Sequence, residues 1–140
     1  MPKFTEKLAK ELLRPIHKRD VLLLSTYTSL WGIWVFNPYW DTFGRSKIYN
    51  SLNYIFPEWV WGLTIALIGL SSMAIVIHGC NKTLGLISKA GFILWGIITM
   101  FYISADITST AWITSFTLSS FYLLMAVNIA INKEKAIDVF

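Results

Sequence analysis

The run Trp59–Ile77, WVWGLTIALIGLSSMAIVI, carries no charged residue and lies between Glu58 and a polar turn, His78–Lys82. As a helix rising ~1.5 Å per residue it is long enough to cross a hydrocarbon core of roughly 30 Å. Three more apolar runs of similar length surround it. The sequence therefore reads as an all-α integral membrane protein: a four-helix bundle in one membrane domain over 1–140, with spans at about 21–40, 59–78, 84–104 and 107–131.

Composition narrows the choice further. Charged residues make up 14% of the chain and apolar residues 55%, where a soluble domain carries about 25% charged. Mean hydropathy is +0.55. Such a chain has too little polar surface to solvate a compact globule. The 7 tryptophans suit membrane interfaces, where an apolar ring and a polar N–H are both satisfied. The net charge of +4 sits beside apolar spans, so a topology rule explains it more simply than nucleic acid does.

Residues 1–19 form a basic segment. Phe4, Leu8, Leu12 and Ile16 fall at i, i+4 spacing, with Lys3, Lys7, Lys10 and Arg14 on the other side. That pattern predicts an amphipathic helix lying on an anionic leaflet, which Pro15 ends or bends. The plainer alternative is a polar tail whose lysines only set topology. The first run does not read as a cleaved signal, because no small-x-small site precedes a polar mature region. Asp20 is placed to cap the first span, and Asn37–Trp40 marks its far interface. The loop 41–57 has helical spacing at Tyr49, Leu52, Ile55 and Phe56. It is either a membrane-resting connector or a docking site.

Within the second span Gly62, Ala66 and Gly69, with Met73 next, line one stripe. Small residues at this spacing let helix backbones approach closely, inside one chain or across a dimer seam. Lys89 lies in the first turns of the third span, where it can snorkel to the headgroups or face a wet cavity or an anionic lipid head. The fourth span opens on ITSTAWITSFTLSS. Thr110, Thr114 and Thr117 share one face, and Ser115 and Ser119 share another. These hydroxyls either bond their own i−4 carbonyls and glue helices together, or line a narrow aqueous path.

With four spans both termini fall on one side. That side would hold Lys3, Lys7, Lys10, Arg14, Lys18, Arg19, Lys82, Lys89, Lys133 and Lys135, leaving only Arg45 and Lys47 of the 12 Lys and Arg opposite. The asymmetry predicts cytoplasmic termini in a bacterial inner membrane. LWGI occurs at Leu30–Ile33 and again at Leu94–Ile97, and Trp61–Gly62 gives a further WG pair. A duplicated hairpin is conceivable from this match, which is four residues in a Trp-rich chain.

No enzyme constellation assembles, so a non-enzymatic protein without metal or cofactor is expected. His17 and His78 both sit at membrane edges, which does not suit a haem buried between two histidines. His78 and Cys80 lack a third metal ligand nearby in sequence. Asp20, Asp41, Glu58 and Asp106 all fall at interfaces, unlike the intramembrane acids of proton relays. With one cysteine, an intramolecular disulfide is impossible.

At WGIWVFNPYWDTF (31–43) and PEWVWG (57–62) the chain resembles small four-span membrane proteins carried by tailed bacteriophages and prophages. The resemblance covers about a quarter of the chain. That group has no agreed activity, so it assigns no site residue. Size and span number are also similar to those of some phage holins, although holins usually end in a strongly basic tail and 132–140 is nearly neutral. Three functions follow as expectations. One is a homo-oligomer in the lipid bilayer that permeabilises or remodels it, holin-like. The second is a membrane anchor or accessory subunit docking a protein partner. The third is a small redox or quinone-binding membrane protein. The expected contacts are lipid, with anionic lipids at the N-terminal segment, and no nucleic acid.

Overall fold

A computed structural model describes residues 16–37, 39, 52–108 and 110–132. Every regular element among them is helical. The four helices are α1 (Lys18–Phe36), α2 (Glu58–His78), α3 (Asn81–Ala105) and α4 (Ala111–Ile131). The basic segment with Lys3, Lys7, Lys10 and Arg14, most of the loop 41–57 and the tail lie outside the described residues.

Local chemistry fixes the helix ends. His17 occupies the N-cap of α1, so Asp20 sits inside the first turn rather than capping it; there its carboxylate faces the positive end of the helix dipole. Asn37 is extended, as suits a residue that precedes a proline. Pro57 precedes α2 with its fixed φ, and Glu58 opens the first turn. Gly79 ends α2 in the left-handed region at φ 75°, and the N–H groups of Gly79 and Cys80 both return to the Ile75 carbonyl. The fourth helix begins only at Ala111. Before it, the Asp106 carboxylate accepts from the Thr108 N–H (2.9 Å) and hydroxyl (2.6 Å), turning the chain between α3 and α4.

The helices pack as two antiparallel hairpins. In the first, Gly32 lies against the backbone of Gly62 and Ala66, Gly62 against Val35 and Phe36, and Gly69 against Ser25 and Ser29. In the second, Gly85 faces Ile129, Gly91 lies under the ring of Tyr122, and Gly96 faces Ser119. Helices α2 and α3 pack on each other less extensively. The hairpins meet where Trp31 stacks edge-on against Trp95, ring centres 5.2 Å apart.

Small hydroxyls lie inside with the apolar core, and many large apolar side chains face outward. Ser25, Thr28, Ser72 and Ser88 are fully buried, while Leu23 is 71% and Met100 70% exposed. Most of the buried hydroxyls return to their own i−4 carbonyls, as Ser72 does to Ile68, Ser88 to Leu84 and Thr99 to Trp95. This arrangement suits a solvent that accepts no hydrogen bonds. Three helices are long and apolar enough to cross a membrane: Glu58–His78, Lys82–Ala105 and Ala111–Ile131. The helix α1 does not join them. It starts with Lys18, Arg19 and Asp20 and carries Ser25, Thr26, Thr28 and Ser29 in its middle.

Candidate functional site

Between α1 and α4 the bundle does not close. A cleft of about 750 Å³ remains there. Leu23, Leu24 and Tyr27 line it from α1, and Thr114, Thr117 and Phe121 line it from α4. The side chains of His17 and Asp20 also border it, and its walls are otherwise mostly apolar. Thr117 donates to the Ile113 carbonyl at 2.8 Å, which leaves its hydroxyl oxygen able to accept.

The two polar faces of α4 do different things. Thr114 and Thr117 are exposed in the cleft, and Thr110 is exposed at the N-cap of α4. Ser115 and Ser119 are buried. Ser115 donates to Ala111, and Ser119 reaches across to the Phe92 carbonyl of α3 at 3.0 Å. The five hydroxyls therefore do not converge on one channel within a single chain. Gly62, Ala66 and Gly69 are buried in the α1–α2 seam, while Met73 lies at its margin and Ser72 takes the next inward position.

Where the hairpins cross, Tyr122 donates from its hydroxyl to that of Thr28 at 3.0 Å, with the Ser72 hydroxyl beside it. Three helices thus share one small polar node. Sequence inspection missed it, because Tyr122 and Thr28 are 94 residues apart and neither belongs to a motif. Two tryptophans hold the connections. Trp61 donates its indole N–H to the Leu52 carbonyl, and Trp112 donates to Ile107, each at 3.0 Å.

Lys89 is exposed at a second, smaller cleft of about 490 Å³ between α3 and α4, and Lys82 borders the same cleft. The two lysines are seven positions apart and so share one face of α3. At the α2–α3 turn, Cys80 is exposed with its Sγ 3.1 Å from the Thr83 hydroxyl. That hydrogen bond and a second one to the Thr83 backbone hold its thiol below the ordinary value against the opposing effect of burial, and the charge of Lys82 adds a smaller push down. Among the described residues no three His, Cys, Asp or Glu side chains gather to hold a metal.

The chain matches no family model, no curated protein and no solved structure.

Proposed function

We propose that this chain is a non-enzymatic integral membrane protein that self-associates to permeabilise or remodel the bilayer, in the manner of a holin. In this reading α1 crosses with the other three helices, and both termini face the cytoplasm of a bacterial cell. The 19-residue length of α1 and its close seam with α2 support its crossing as part of a hairpin. The distribution of Lys and Arg supports the orientation.

The observation that carries self-association is the open α1–α4 cleft. Membrane helices bind one another through packing and interhelical hydrogen bonds rather than a hydrophobic force. A groove of this size, apolar but with Thr114 and Thr117 along one wall, offers a second copy both kinds of contact. Copies joined there would bring the threonines of neighbouring α4 helices toward a common seam.

Native mass spectrometry in lipid nanodiscs, paired with dye release from vesicles, tests the proposal. The expected result is an assembly of several copies and leakage that rises with protein density. Thr117→Trp, which places a bulky ring in the groove, should reduce both. A monomer that leaks nothing at high density would overturn the reading. The same groove could instead seat one helix of a different protein, as in an anchor or accessory subunit. A partner that co-purifies in fixed stoichiometry, and is lost with Thr117→Trp, would establish that reading in its place.

A further inference from the structure

We propose that α3 and α4 hold an anionic phospholipid, with its phosphate between Lys82 and Lys89 and an acyl chain in the cleft beside them. The inference rests on the membrane reading above, but it concerns a different face from the α1–α4 groove.

The cleft owes its existence to small side chains. Gly85 on α3 and Ala126 and Ala130 on α4 leave a depression of about 490 Å³, floored by Ile129. A Cβ at Gly85 would come within 3.3 Å of the Ile129 Cγ2 atom, so the glycine helps keep the groove open there. Its wall is apolar except for the two lysines.

Lys82 and Lys89 are two helical turns apart, ~10 Å along the axis and nearly in line around it. Helical side chains lean toward the helix N-terminus. The N-terminus of α3 is the membrane edge of this helix, so the stem of Lys89 leans back toward Lys82. Lys82 leans the same way, so the two ammonium groups reach one level where Lys82 extends sideways along the headgroup layer and Lys89 snorkels up to it.

Nothing on these helices neutralises the pair. Neither α3 nor α4 contains an Asp or Glu, and the first turn of α3 has no acidic residue. Lys82 stands at the positive end of the α3 dipole, where a cation is unfavourable and an anion is welcome. An anionic head on an apolar tail satisfies both halves of the site. Free phosphate would satisfy only the lysines and leave the groove unfilled. Basic pockets between membrane helices on the cytoplasmic side are suited to acidic headgroups.

The test uses the full chain reconstituted in mixed phosphatidylglycerol and phosphatidylcholine, with lipids retained after delipidation counted by native mass spectrometry. Wild type should retain phosphatidylglycerol preferentially. Lys82→Gln and Lys89→Gln should each cut that preference roughly fivefold. Gly85→Leu, which blocks the groove and leaves both charges, should also abolish retention. Arg19→Gln removes one charge elsewhere and should leave the preference intact. Equal losses from Arg19→Gln and the lysine variants would overturn the proposal in favour of net charge. Displacement of the lipid by millimolar inorganic phosphate would overturn it in favour of a simple phosphate site. Stable incorporation with no lipid preference would overturn it outright. Failure of the chain to incorporate into bilayers would instead bring down the membrane reading beneath it.

Discussion

The hydroxyl of Tyr122 donates to the hydroxyl of Thr28 across 94 residues of chain, and this contact ties the second hairpin to the first. Both groups are fully buried, with the Ser72 hydroxyl beside them. Interhelical hydrogen bonds of this kind contribute about 0.5–1.5 kcal/mol in membranes. Tyr122→Phe should therefore lower unfolding stability by about 1 kcal/mol in a detergent denaturation assay. Thr28→Val should cost a similar amount. The double variant should cost clearly less than the sum, since the first change removes the partner of the second. Strict additivity would show that the contact contributes nothing.

The glycines of the three WG pairs give a second prediction. A methyl group at Gly62 would strike the backbone of Phe36, and one at Gly32 would strike the backbone of Ala66. Backbone cannot rotate away as a side chain can. Gly62→Ala and Gly32→Ala should each destabilise the protein by about 1–3 kcal/mol. At Gly96 the nearest atom is the Ser119 Oγ at 3.6 Å, an ordinary contact. Gly96→Ala should be neutral or mildly stabilising, because alanine is the better helix former. Equal effects at Gly32 and Gly96 in the same unfolding assay would contradict this picture of the seams.

Cys80 reports on both chemistry and sidedness. The hydrogen bonds to Thr83 favour its thiolate, so the midpoint of alkylation against pH should lie below that of an unperturbed thiol. Thr83→Ala should move the midpoint up, and Lys82→Gln should move it up by less. Under the proposed orientation, an impermeant maleimide should label Cys80 in inverted vesicles and not in intact cells. Labelling of intact cells would reverse the topology.

The all-helical character was readable because long uncharged runs leave a backbone few alternatives in lipid. The inward faces were harder to read. A helix apolar on all sides presents no amphipathic signal, so nothing in the α4 sequence marks Tyr122 as inward and Phe121 as outward. The spacing of Gly62, Ala66 and Gly69 puts them on one stripe, but it does not say that Val35, Phe36 and Ser29 lie opposite. Gly32 and Gly96 share the same four-residue context and meet different neighbours, since local sequence does not encode what packs across. The α1–α4 cleft was equally hidden. It arises from how two hairpins dock, and Leu24 and Thr117 contribute to it from positions about ninety residues apart.

The close seam between α1 and α2 bears on how such a chain is made. Under the proposed topology α1 leaves the ribosome first, yet it is the least apolar of the four helices. Its Ser25 and Ser29 are sheltered only once Gly69 arrives beside them. Entry of α1 into the bilayer then waits on synthesis of α2, and the translocation machinery receives a preformed pair rather than a single segment. A lesion in the α1–α2 seam would register first as a defect of biogenesis, before any loss of stability in the finished protein.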